Sequence, residues 1–221
     1  MQPQAIGISA FDLDHTLLTV NSSFEFGKYL YKNKLLSTRQ MLFASACYIL
    51  HKSGCLSLDS LHKKIFNVAF KGRSKTDLNT HVHQFLDCYL DAYWNRPVFE
   101  KLLDSKQAGH ITTIYSSAPD FLVSAIASRL QIHHHEGTIY HTDESGNLSM
   151  IDKVVEGNAK AELLTRLAGQ HRISKNNVFT YSDSYLDLPF LEVSGNPVAV
   201  NPDARLKRIC KQKNWQILSE G

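Results

Sequence analysis

Apolar positions change their period twice along the chain. Ala5-Ile6-Gly7-Ile8-Ser9-Ala10-Phe11 is a short continuous apolar run that predicts a buried strand leading into an acidic turn. From about residue 20 the period becomes helical. Phe26, Tyr29 and Leu30 share one face, and Leu42, Ala46 and Ile49 share another. Leu58, Leu61, Ile65 and Val68, then Leu78, Val82, Phe85, Tyr89 and Tyr93, repeat the stripe. Ser53-Gly54 and Gly72-Arg73-Ser74 break it, and Ser57 and Thr76 stand where N-caps of the last two helices would fall. Residues 20–95 thus predict a small helical bundle.

After Pro97 helices and strands alternate. The pattern predicts a helix over 98–108, a strand over 110–115, a helix over 119–130 with Pro119 in its first turn, and a hairpin that starts with Gly137 to Tyr140 and has its polar turn at Asp143 to Asn147. A helix over 159–167, a strand over 178–181, a helix over 185–193, a strand over 198–200 and a basic last helix follow. Alternation of this kind predicts an α/β fold: a doubly wound, mostly parallel sheet covered on both faces, with the helical bundle inserted after the first strand. The expected division is a core of 1–18 and 97–221 and a helical cap of 19–96.

Composition bounds the partners. The 221 residues hold 24 basic and 21 acidic side chains, a net charge of +3 with no basic stripe, so nucleic acid is not an expected partner. The start of the chain lacks the basic flank and long apolar run of a leader, and the most apolar stretch elsewhere, Met41 to Leu50, is about half a bilayer span. Cys47, Cys55, Cys88 and Cys210 are scattered, as reduced core residues would be. A cytoplasmic protein without a membrane span is expected; oligomeric state is not legible.

Ligands of such sheets bind at the carboxyl ends of the strands, and four polar groups fall there. Asp12 and Asp14, in Phe11-Asp12-Leu13-Asp14-His15-Thr16-Leu17-Leu18, follow the first strand. A solvated acidic turn would also explain them. A calcium loop would not, because Leu17 and Ser23 stand where it needs Gly and Glu. Ser116, with Ser117 after it, ends the next strand before a helix, an arrangement that serves either capping or anion binding. Lys160 lies in a helical first turn, where it opposes the helix dipole and suits an anion, although an exposed Lys is the plain alternative. Asp183 ends the next apolar strand, and Asp187 follows one helical turn later. The pair suits a hard cation such as Mg²⁺ or, more plainly, helix capping. Together the four groups supply a nucleophile, a cation site, a positive charge and hydrogen-bond donors, the parts phosphoryl transfer needs.

The motifs FDLDHTLL (11–18), YSSAPDFLV (115–123), GNAKAELL (157–164), YSDSYLDLPFLE (181–192) and NPVAVNPD (196–203) resemble those of the haloacid dehalogenase superfamily of phosphatases, subclass IB. The likeness is to the phosphoserine-phosphatase-like members, whose core is Rossmann-like and whose helical cap follows the first motif. The resemblance implies an Mg²⁺-dependent phosphomonoester hydrolase acting on a small phosphorylated metabolite. Asp12 would be the nucleophile, Asp14 the acid/base, and Lys160 the charge between Asp12 and the phosphoryl oxygens. Ser116 and Ser117 would bind phosphate with Lys160, and Asp12, Asp14, Asp183 and Asp187 would form the metal site.

Two departures stand against phosphoserine itself. Thr19 to Ser23 lacks the expected Glu, with Glu25 arriving late, and Ser117-Ala118 replaces a Gly pair. Arg39, Arg73 and Arg96 are candidate cap contacts, His15 could face the substrate or the cap, and His133-His134-His135 reads as a polar loop. A phosphotransferase using the same intermediate, or a receiver-like phospho-acceptor module, remains an alternative. Receiver modules lack an acid/base two residues after the nucleophile and have no cap.

Overall fold

The computed structural model describes residues 5–219. The expectations for residues 1–4 and 220–221, as leader-free start and core ends, lie outside them. β1 (Ile8–Phe11) is shorter than the apolar run suggests, and all four of its residues are buried. Its side chains alternate as a strand requires. Phe11 joins the large core on one face, while Ile8 and Ala10 join a second cluster on the other.

The inserted helices are α1 (Ser22–Lys32), α2 (Thr38–Lys52), α3 (Leu58–Ile65) and α4 (Lys75–Tyr89). Each start has a local cause. Asn21, Ser37, Ser57 and Ser74 accept from the backbone N–H three residues on, which satisfies an otherwise orphaned donor. Ser74, rather than the expected Thr76, caps α4; the helix starts as soon as Gly72, at φ +80°, has turned the chain. Phe26 and Leu30 of α1 and Leu78, Val82 and Phe85 of α4 are buried as their stripes predict. α2 is different: Leu42, Ala46 and Ile49 face solvent, and only Cys47 of this helix is buried.

The remaining elements are α5 (Arg96–Gln107), β2 (Ile111–Pro119), α6 (Asp120–Arg129), β3 (His134–Thr138), β4 (Tyr140–Thr142), β5 (Leu148–Ile151) and α7 (Gly157–His171), then β6 (Val178–Ser182), α8 (Leu188–Glu192), β7 (Asn196–Val200), α9 (Ala204–Lys213) and β8 (Gln216–Leu218). Six strands form one sheet in the order β3-β2-β1-β6-β7-β8, with every pairing parallel. The chain steps outward from β1 to β3 and then returns to β1's other side with β6. The topological switch point therefore lies at the end of β1, where the crevice of such sheets forms.

Several sequence expectations are corrected. His134 and His135 belong to edge strand β3 rather than a loop, pairing with Thr113 and Ile114. The hairpin is β4–β5, and Gly137 belongs to β3 before it. Pro119 precedes α6 as its cap instead of opening it. Strand β8 after the last helix went unpredicted, being only three residues long. Among the cysteines only Cys47 and Cys210 are buried; Cys55 and Cys88 are exposed, and all four are free thiols.

One apolar cluster joins sheet and insertion. Phe26 packs against Phe85 within the insertion and against Phe121 of α6, at centroid distances of 5.6 and 6.3 Å. The β4–β5 hairpin is tied to the insertion as well, through Gly72 N–H to the Leu148 carbonyl at 2.7 Å and Leu148 N–H to the Arg73 carbonyl at 2.8 Å.

Candidate active site

The acidic residues after β1 sit at the switch point. Asp12 directly follows the strand, its N–H donating to the Tyr181 carbonyl of β6 at 2.9 Å, and it is 6% exposed. The next turn is tight: His15 adopts φ +59°, a left-handed conformation that His tolerates better than branched residues do. Asp14 is thereby turned to the start of α1. There Ser22 N–H donates to its Oδ1 at 2.8 Å and Asn21 Nδ2 to its Oδ2 at 2.9 Å.

Lys160 reaches the floor from the first turn of α7. Its ammonium donates to Asp12 Oδ1 at 2.5 Å and to Asp187 Oδ2 at 2.6 Å, with all three side chains buried. Asp187 is held further by Ser182 Oγ at 2.8 Å and Gly157 N–H at 3.2 Å. Gly157 is required for this approach, since a Cβ there would lie 2.3 Å from the Leu186 carbonyl oxygen. Asp183 accepts from Thr16 Oγ1 at 3.3 Å.

The electrostatics show a floor short of positive charge. Burial pushes Asp12 up to about 8, with Asp187 and Asp183 adding to the rise and Lys160 opposing it. Burial likewise raises Asp183 to about 6 and raises Asp14, whose hydrogen bonds from Ser22 pull the other way. Burial works against the Lys160 charge, but Asp12 and Asp187 outweigh it and hold its pKa above the ordinary value.

These groups line a cavity of about 180 Å³ between floor and insertion. Asp12, Asp14, Ser117, Lys160, Asp183 and Asp187 all reach its wall. Ser116 lies behind it, 1% exposed, with its Oγ accepting from Ala118 N–H at 3.1 Å. His15 faces this cavity, and its Nε2 is buried with no hydrogen-bond partner. Among the described residues no three Asp, Glu, His or Cys side chains gather as a metal cluster. The Asp14 carboxylate is turned to Asn21 and Ser22, and that of Asp187 to Lys160, Ser182 and Gly157.

The outer wall is mostly apolar, with Phe24, Leu36, Met41, Tyr48, Leu61 and Phe70 among its residues. Sequence reasoning missed polar members such as His51, Lys52, His62 and Glu156, because nothing local marks a side chain that meets the floor only after folding. Asn21 could have been found from its place as the N-cap before the Phe26 stripe. None of the candidate arginines lines this wall. Arg73 donates to the Ala69 and Leu35 carbonyls, and Arg39 and Arg96 are exposed. Glu25 is turned to Lys28 and to the Tyr93 hydroxyl.

The family model for haloacid dehalogenase-like hydrolases matches residues 10–192. The chain is 30% identical to a histidinol-phosphatase of Neisseria meningitidis, over 96% of this chain and 98% of that one. It is 29% identical to a phosphoserine phosphatase of Mycobacterium tuberculosis, over 94% and 68%. Among solved structures, a protein of unknown function from Bordetella pertussis superposes with a TM-score of 0.83 at 19% identity, covering 96% of this chain and 97% of that one. A phosphoserine phosphatase in a substrate-bound complex gives 0.71 at 15% identity, covering 97% and 93%. These two structures are likenesses of fold.

Proposed function

The chain belongs to the haloacid dehalogenase-like hydrolases, and on that premise we propose that it hydrolyses a small phosphomonoester through an aspartyl-phosphate formed on Asp12. The observation that carries the reading is the Asp12–Lys160 contact of 2.5 Å on the floor of a cavity that Asp14 also lines. The Asp12 carboxylate attacks phosphorus, and the ester oxygen leaves with the bonding pair. Asp14 gives that oxygen a proton, then takes one from the water that cleaves the acyl phosphate and frees inorganic phosphate. Burial favours the protonated Asp14 that the first step needs, and Asn21 and Ser22 fix its orientation. Lys160 offsets charge between Asp12 and the phosphoryl oxygens; Ser117, which reaches the cavity wall, would bind phosphate, and Ser116 would join it only once its hydroxyl turns forward from behind the wall.

Mg²⁺ is the cofactor of this reading. The donors fit it: they are oxygens, and of the four carboxylates lining the cavity only Asp12 and Asp187 are paired with the Lys160 ammonium, which leaves Asp14 and Asp183 without a cation. Asp12, Asp14 and Asp183 would hold the ion, Asp14 by its backbone carbonyl, with Asp187 behind them. Bound there, it supplies the positive charge that lets a phosphate dianion approach carboxylates.

The alcohol half of the substrate meets the insertion, residues 19–96, acting as a cap. An amino acid would need a cation for its carboxylate, yet the wall's lysines are Lys160, already paired, and Lys52, which lies 5.6 Å over the Tyr48 ring. Glu156, by contrast, can receive an ammonium. An amino-alcohol phosphate therefore fits better than phosphoserine, and histidinol phosphate heads the panel because the Neisseria relative bears that name.

The test is phosphate release from such a panel with Mg²⁺ present. Asp12→Asn should lower turnover by at least about a thousandfold without lowering the melting temperature, and EDTA should remove activity that Mg²⁺ restores. Wild-type turnover by that variant would refute the nucleophile. Transfer of the phosphoryl group to an added alcohol would instead mark a phosphotransferase.

A further inference from the structure

The helix that closes the catalytic cavity on one side leaves an apolar face to solvent on the other. α2 turns Met41, Ala44, Tyr48 and His51 to the cavity. It turns Leu42, Phe43, Ile49 and Leu50 outward, at 65%, 39%, 66% and 48% exposure. At about 100° per residue, these four and exposed Ala46 fall within an arc of roughly 120°. Tyr31 and Val68 flank its first turn and are also exposed. The Tyr31 hydroxyl lies 3.4 Å from Thr38 Oγ1, and Gln40 Nε2 donates to the Val68 carbonyl at 2.6 Å. Scattered exposed apolar side chains need no explanation, but a contiguous patch of this kind marks an interaction surface.

Charge identifies the partner. Residues 31–65 carry Lys32, Lys34, Arg39, Lys52, Lys63 and Lys64 against a single acid, Asp59, although the whole chain is only +3. Asp59 is already paired with Lys63 at 2.8 Å. Arg39 lies within the angular range of the outward stripe, one turn before Leu42 and Phe43, and Lys34 precedes the helix; both are exposed. A two-fold pairing with a second copy would press two such basic segments together. An anionic surface that also accepts apolar side chains satisfies both features at once.

We propose that the outward face of α2 docks the protein peripherally on an anionic phospholipid surface. The helix lies in the interfacial plane, with Leu42, Phe43, Ile49 and Leu50 at the acyl boundary and Lys34 and Arg39 among the headgroups. No helix among the described residues is long and apolar enough to cross a membrane; the docking proposed is peripheral and held by the exposed face alone. Docking does not depend on what the cavity hydrolyses.

The test floats the full chain with phosphatidylcholine vesicles, either plain or containing about 30 mol % phosphatidylglycerol. The wild type should rise with the anionic vesicles and stay behind with the neutral ones. Raising salt from about 0.1 to about 0.5 M should release it. The L42D/I49D pair should weaken binding at least about tenfold, and the K34N/R39Q pair by about tenfold, with melting temperatures unchanged in each. Equal binding to neutral and anionic vesicles, none to either, or undiminished binding by L42D/I49D would overturn the proposal. So would a wild-type dimer that L42D/I49D dissolves, because the face would then belong to a second copy.

Discussion

At the scale of single residues, Lys160 holds the floor together. It is a buried ammonium between two buried carboxylates, so removing it leaves Asp12 and Asp187 without compensation. Lys160→Met should cost about 3–5 kcal/mol of stability, read by denaturant unfolding, and should abolish turnover. Asp187→Asn, which keeps the ammonium on Asp12, should be milder on both counts. Glu156 belongs to the cavity rather than the floor, and its carboxyl is raised by burial and by Asp187. Glu156→Gln should raise KM for an amino-alcohol phosphate about tenfold while leaving a generic aryl phosphate unaffected. Equal loss on both substrates would mean that Glu156 serves the fold.

At the scale of elements, α3 carries a pH response. Burial and the nearby His51 hold His62 down, to about 4, against an ordinary 6.5. Between those values the unfolded chain binds a proton that the folded one refuses. The His62 contribution to stability therefore falls as pH drops from about 6.5 and levels off below about 4, while Asp12 and Asp183, raised in the fold, contribute the opposite trend. The His62 share should appear as the difference between the melting-temperature curves of the wild type and His62→Gln across that window. The elements also show where patterns misled. The α4 stripe packs inward as its period predicts, whereas α2 is apolar on two sides and its period alone could not say which side would be covered. In the His133–His135 run, His133 does lie in a loop, but His134 and His135 open edge strand β3, where only one neighbour, β2, dictates the pairing.

At the scale of the whole molecule, insertion and sheet share one core, with Phe26 at the junction and 1% exposed. Phe26→Ala should destabilise by about 3–5 kcal/mol and expose the 31–75 region to limited proteolysis first. A loss spread evenly over both parts would show that they unfold as one unit.

The order of strands and helices, edge strands β3 and β8 excepted, and the motif residues at strand ends were legible in the chain, because strand and helix periods and turn chemistry are local properties. Asp12, Lys160, Asp183 and Asp187 were identified as candidates, and the fold brings them to one floor. Three things were decided only by tertiary structure. Lys160 joins Asp12 to Asp187 across 148 and 27 positions of sequence. His15, rather than any arginine, enters the cavity, and Glu156 meets it from the start of α7. The outward face of α2 stays uncovered. Each depends on which surfaces meet when helices pack on the sheet. Periodicity gives an element its faces, and only packing chooses what each face touches.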